Sequence, residues 1–258
     1  MKFNYYPGCT LKTKAVELDE YARKCADALG FELCEIDEWQ CCGAVYPLGV
    51  DQIAQRLPAV RALKATEADN KPLVTLCSAC HHVLKRANYD VVDDKNFRDT
   101  LARHDPELAY TGGGEVLHYL EVLKNHIGFD EIAKKVKNPL TGKKIAAHYG
   151  CMLLRPGAVM AFDDPERPTI MEDFIKALGA TPIPSPLRTE CCGGYIRLTT
   201  PDKAAQMSQK VTNDAARMEA DFMISACPLC VYNIGKEGTL PIYYFTEMLA
   251  EALGVKDE

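Results

Sequence analysis

Apolar residues recur along the chain in short runs separated by longer stretches whose apolar positions fall three or four apart. The runs at residues 2–6, 31–36 and 72–76 predict strands. Between them, residues 13–29 predict an amphipathic helix stopped by Gly30, and residues 51–68 a second helix that runs through Pro58. The same order returns later: strands at 144–148, 181–185 and 222–226, with helices at 168–178, stopped by Gly179, and at 201–220. Strand, helix, strand, helix, strand, twice over, predicts an α/β fold of two doubly wound lobes with parallel sheets. Residues 89–114 are polar and contain Gly112-Gly113-Gly114, which predicts a flexible connection, and 116–123 predicts a helix. The division expected is a first lobe over 1–114, connecting helices over 115–142 and a second lobe over 143–258.

The cysteines follow the same duplication. Cys41-Cys42-Gly43 precedes Cys77 and Cys80, and Cys191-Cys192-Gly193 precedes Cys227 and Cys230; adding 150 to each number of the first set gives the second. Each half opens with one more cysteine in a similar phrase, YYPGC ending at Cys9 and AHYGC ending at Cys151. Ligands of open parallel sheets sit beyond the carboxyl ends of the strands. Cys9, the Cys41-Cys42 pair and Cys77 lie at or just past such ends, so five thiols per lobe are expected to converge in one crevice. Cys25 and Cys34 fall outside the pattern. Aligning Gly30 with Gly179 sets them opposite Phe174 and Ile183, so both are expected in the core.

Composition narrows what such crevices do. With 47% hydrophobic and 26% charged residues the chain is an ordinary globular one, and its net charge of −6 has the wrong sign for a nucleic-acid binder. The N-terminal MKFNYYPGCT has no apolar signal core, and the apolar stretch at 222–231 is half of what a bilayer span needs, so a cytoplasmic protein without a membrane span is expected. In a reducing compartment twelve cysteines point to metal or redox chemistry rather than disulfides. A structural zinc and a cubane iron-sulfur cluster each take four ligands, one fewer than each lobe offers, which favours a polynuclear cluster of another shape. A zinc-stabilised interaction module is the bland alternative.

The doubled motif, one cysteine, Cys-Cys-Gly, then Cys-x-x-Cys, resembles the cysteine-rich CCG domains of the B subunit of heterodisulfide reductase. The resemblance runs from Cys9 to Cys230 and includes His148 to Cys151 with Leu154-Arg155-Pro156 after it. It implies two Rossmann-like lobes, each carrying one CCG motif and one non-cubane [4Fe-4S] cluster. Cys9, Cys41, Cys42, Cys77 and Cys80 would hold one cluster; Cys151, Cys191, Cys192, Cys227 and Cys230 would hold the other. It also implies a small-molecule or protein disulfide substrate, reductively cleaved between the clusters, with Cys9, Cys151 and His148 as candidate catalytic residues. No ferredoxin run of the type C-x₂-C-x₂-C-x₃-C-P is present. The implied electron source is therefore a ferredoxin-like partner subunit, fed in turn by a flavin-containing one. Lactate-utilisation, glycolate-oxidase and some succinate:quinone oxidoreductase subunits share the domain, which keeps an electron-relay role without a disulfide as the alternative. The family often carries His where this chain has Met152, leaving His148, His81 and His82 as the nearest proton carriers. Lys12, Lys14, Arg155, Arg188 and Arg197 flank the cysteines and suit an anionic substrate tail.

Overall fold

The computed structural model describes residues 1–37, 39–44, 51–68 and 70–256. Its first half runs β1 (Lys2–Tyr5), α1 (Cys9–Thr13), α2 (Val16–Leu29), β2 (Glu32–Glu35), α3 (Gln52–Ala65), β3 (Leu73–Thr75), α4 (Ser78–Asp93), α5 (Lys95–His104), β4 (Val116–His118), α6 (Tyr119–Val122) and α7 (Phe129–Lys135). The second half runs β5 (Lys144–His148), α8 (Gly157–Met160), α9 (Ile170–Ala177), β6 (Thr181–Ile183), α10 (Pro201–Arg217), β7 (Phe222–Ser225), α11 (Pro228–Glu237), β8 (Ile242–Tyr244) and α12 (Phe245–Leu253).

Each half builds a four-stranded, all-parallel sheet, in the orders β2-β1-β3-β4 and β6-β5-β7-β8. The inner strands are buried along nearly their whole length, as strands covered by helices on both faces must be. Local chemistry fixes the helix ends. Gly30 takes a left-handed φ of 87° to close α2, Asp51 caps α3 through the N–H groups of Ile53 and Ala54, and Pro201 and Pro228 open α10 and α11 where no N–H is needed.

Three expectations need correction. Residues 116–118 are a strand, not the start of a helix: Leu73, Val74 and Thr75 pair with Val116, Leu117 and His118 and close the first sheet. Residues 89–114 are not a plain linker, because α4 continues to Asp93 and α5 follows, capped by the Asp94 carboxylate on Asn96 and Phe97. The glycine run after them is pinned, with Asn88 donating to the Gly114 carbonyl at 2.7 Å and Gly114 N–H donating to the Tyr110 hydroxyl at 3.2 Å. Cys25 lies in the core as expected, fully buried against the Thr246 carbonyl. Cys34, on edge strand β2, is only half-buried beside Glu32.

The two sheets share one core rather than standing apart. Helix α12, after the last strand of the second sheet, packs on α2 of the first half, where Thr246 donates to the Leu18 carbonyl at 3.2 Å. The aromatic rings of Tyr119, Phe174 and Phe245 meet in that seam. At the strand ends the halves touch again, since Ser78 donates both its N–H and its hydroxyl to the Ala226 carbonyl, at 3.2 and 2.8 Å. Tyr244 and His118, the last residues of β8 and β4, both reach the Leu76 carbonyl, at 2.5 and 2.7 Å.

Candidate metal centres

Leu76-Cys77 and Ala226-Cys227 follow the ends of β3 and β7, so the two halves meet back to back at the residues that carry their motifs. Cys77 and Cys227 each stand at the N-cap of the following helix, and each thiol shifts the other's acidity, Cys77 upward and Cys227 downward. Around this point each half gathers its five thiols. In the first, Cys41 Sγ lies 3.3 Å from Cys9 Sγ and Cys42 Sγ lies 3.4 Å from Cys80 Sγ. In the second, Cys192 Sγ lies 3.4 Å from Cys230 Sγ, and Cys151 and Cys191 shift each other's acidity in opposite directions. Every cysteine is free of disulfides.

Glycine makes room for this crowding. A Cβ at Gly8, whose φ is 77°, would stand 2.9 Å from Cys80 Sγ, and one at Gly150, whose φ is 66°, would stand 3.4 Å from Cys230 Sγ. The loop that carries Cys151 is held from behind. Tyr149 N–H and Gly150 N–H donate to the Arg188 carbonyl at 2.8 and 3.3 Å, while the buried Tyr149 hydroxyl donates to Glu172 and accepts from Met171 N–H. Arg188 Nε sits 3.1 Å from the other Glu172 oxygen. Tyr149→Phe removes the hydroxyl from this buried set, and a loss of about 1–3 kcal/mol of stability is expected. Denaturant unfolding would check it through a lower midpoint at unchanged slope.

The thiols share protons unequally. Hydrogen bonds from Cys41 and Cys80 hold Cys42 down to about 3, and those from Cys151 and Cys192 hold Cys191 down to about 2. Their partners Cys41 and Cys151 are pushed up, chiefly by those same bonds. Cys227 is lowered by bonds from Cys230 and Cys77, aided by N–H groups of the α11 N-terminus. Thiolate is the form that binds a cation, and a cation bound here would displace the protons that remain.

Among the described residues His148, Cys192 and Cys230 form a group whose ligand atoms lie within 4.8 Å of one another. His148 is completely buried, which pushes its imidazole down to about 4. His81 points elsewhere, 3.2 Å from Glu121 and edge-on to His118 and Phe162. His82 meets the Met152 carbonyl across the halves at 3.1 Å. Met152 itself packs against the first half's core, so it serves as an inter-lobe strut.

A cleft of about 330 Å³ opens between the halves, lined by Cys42, His82 and Arg86 on one side and Met152 and Tyr195 on the other. The basic residues expected to face a substrate do not supply its charge. Lys12 pairs with Glu35 at 2.7 Å, Arg155 with the Thr189 carbonyl and Glu166, Arg188 with the Ser185 carbonyl and Glu172, and Arg197 with Asn233 and Glu237. Lys14 is exposed on α1's end. Arg86, which sequence reading missed, has no hydrogen-bond or ion-pair partner among the described residues. It lies six residues beyond Cys80 on α4; extending α4 through its buried positions Leu84, Ala87 and Val91 would have found it.

Comparison with known proteins agrees with this geometry. The model of the CCG cysteine-rich domain matches twice, at residues 3–85 and 145–235. The 8-methylmenaquinol:fumarate reductase membrane anchor subunit of Wolinella succinogenes is 32% identical over 98% of this chain and 93% of its own. The B subunit of the ferredoxin:CoB-CoM heterodisulfide reductase of Methanosarcina mazei is 23% identical over 98% of this chain and 89% of its own. A crystal structure of a hypothetical protein from Helicobacter pylori shares the fold, with a TM-score of 0.74 at 10% identity over 98% of this chain and 49% of that one. This chain therefore spans about half the length of that protein.

Proposed function

Because this chain belongs to the family of proteins with cysteine-rich CCG domains, we propose that it is the catalytic subunit of a heterodisulfide-reductase-type complex. The observation that carries the proposal is the meeting of two five-thiol crevices where Ser78, next to Cys77, donates to the carbonyl of Ala226, next to Cys227, beside a cleft that Cys42 lines. Cys9, Cys41, Cys42, Cys77 and Cys80 hold one non-cubane [4Fe-4S] cluster, and Cys151, Cys191, Cys192, Cys227 and Cys230 the other. The donor set suits them: five free thiols per crevice exceed the four of a zinc site or a cubane, and adjacent cysteines such as Cys41 and Cys42 serve different irons more readily than one. When bound, two one-electron centres supply what R–S–S–R′ + 2 e⁻ + 2 H⁺ → RSH + R′SH requires.

The chain's own residues bind and orient the substrate. Arg86 holds an anionic end of the disulfide, Met152 and Tyr195 cover the rest, and the His82–Met152 bond keeps the two walls in register. Electrons enter from an iron-sulfur partner, a ferredoxin-like subunit that draws on a flavin-containing one. Among the described residues no helix is long and apolar enough to cross a membrane.

The likeness to a quinol:fumarate reductase subunit favours a second reading, an electron relay within a quinone-linked oxidoreductase. One assay separates the two. Cluster-loaded protein mixed anaerobically with reduced methyl viologen and 3,3′-dithiodipropionate is expected to release two thiols for each two viologen radicals oxidised. Viologen oxidation by a soluble naphthoquinone with no thiol release would establish the relay instead.

A further inference from the structure

His148 ends β5 completely buried, and neither ring nitrogen has a hydrogen-bond partner. A buried imidazole left so is rare and calls for a partner of another kind. The atoms around it are sulfur: Cys192 and Cys230 lie with it inside 4.8 Å, and a Cβ on Gly150 would stand 3.5 Å from Nε2, so glycine leaves that nitrogen open toward Cys230. In the first half the matching phrase puts Tyr6 where the second has His148, since YPGC ending at Cys9 aligns with HYGC ending at Cys151. Tyr6 is also buried among its cysteines, but its hydroxyl already donates to the Gln40 carbonyl. The two crevices therefore match in thiols and differ at this buried position.

We propose that His148 contacts the cluster of the second centre directly through a ring nitrogen, and so makes that centre the easier of the two to reduce. The inference rests on the cluster reading above. An N–H donated to a cluster sulfur would offset negative charge on the centre, and an imidazole on iron in place of one of the five thiolates would remove a charge; either favours reduction. His148 is not among the residues that line the cleft, so its role is to tune the centre rather than to deliver protons to a substrate. The electron pair for a two-electron reaction would then be held unequally, the first electron in from a donor resting on the second centre.

The test uses the whole cluster-loaded chain without substrate. Pulsed EPR on protein labelled with ¹⁵N-histidine is expected to show a histidine nitrogen coupled to a reduced centre, large for an iron–nitrogen bond and small for N–H···S. In an EPR-monitored redox titration His148→Phe is expected to lower one of the two potentials by about 59 mV, a tenfold change in a one-electron equilibrium. The other potential stays where it was, and His148→Gln, which keeps an N–H donor, recovers part of the shift. A native spectrum without histidine coupling overturns the proposal, and so does a His148→Phe protein with full iron and both potentials unmoved. If His148→Phe loses iron, the labelled native protein decides alone. Zinc in place of iron would overturn the cluster reading and this inference together; iron without histidine coupling overturns only the inference.

Discussion

Cys80→Ser lowers bound iron from about eight atoms per chain to about four, and Cys230→Ser does the same at the other centre. The reason is local. Cys80 Sγ sits 3.4 Å from Cys42 Sγ, with Gly8 packed on it, so a shorter hydroxyl at that position leaves a gap in the donor set that no neighbour fills. The effect stays in one half because the five thiols of each crevice come from loops of that half alone. Cys77 and Cys227 are the exceptions. They face each other across the seam beside the Ser78–Ala226 hydrogen bond and shift each other's acidity, so Cys77→Ser is expected to disturb both centres and lower iron below half. Cys25→Ser is the control: Cys25 is buried against the Thr246 carbonyl in the shared core, and its loss leaves iron unchanged. Iron and sulfide analysis of the four variants checks the set.

Arg86→Gln raises KM for 3,3′-dithiodipropionate about 10- to 100-fold, the range of one charge-assisted hydrogen bond, with kcat little changed. A neutral disulfide, bis(2-hydroxyethyl) disulfide, shows no such change, and Arg86→Lys keeps most of the native preference. This pattern follows from an unpartnered guanidinium on the wall of a cleft whose facing residues, Met152 and Tyr195, are uncharged. Arg56, on the same wall, is paired with Asp90 at 2.8 Å and stacked on Phe97, so Arg56→Gln is expected to act on folding stability instead. Steady-state kinetics with both disulfides separates the two arginines.

Much of the architecture was legible because duplication is a strong signal. The offset of 150 that relates eight of the cysteines, in two sets of four, is within one residue of the 149 that relates β2 to β6 and β3 to β7; the 142 from Cys9 to Cys151 also relates β1 to β5, and the parallel sheets put those strands' carboxyl ends where the thiols gather. What escaped had weaker local chemistry. Strands β4 and β8 are three residues each, and short apolar runs such as Val116-Leu117-His118 carry no period of their own; pairing with β3 and β7 decides them. The last strand and helix repeat at an offset of 126, outside the register the cysteines set. The polar face of α4 and α5 hid their helical spacing. Basic residues adjacent to cysteines in sequence turned inward to carboxylates and carbonyls, as buried or half-buried guanidinium groups must, and left the cleft to Arg86. Cys34 failed as a core residue for a similar reason, since only the fold reveals that β2 is an edge.

Catalysis, electron relay and the role of His148 all depend on each five-cysteine crevice holding a polynuclear iron-sulfur cluster. The decisive measurement is iron, acid-labile sulfide and zinc on protein purified without oxygen, with an EPR spectrum on the same sample. Iron and sulfide each near eight per chain, negligible zinc and a cluster signal on reduction are the predicted result. About two zinc ions per chain, little iron and a colourless protein would contradict it and leave a structural module in place of an oxidoreductase.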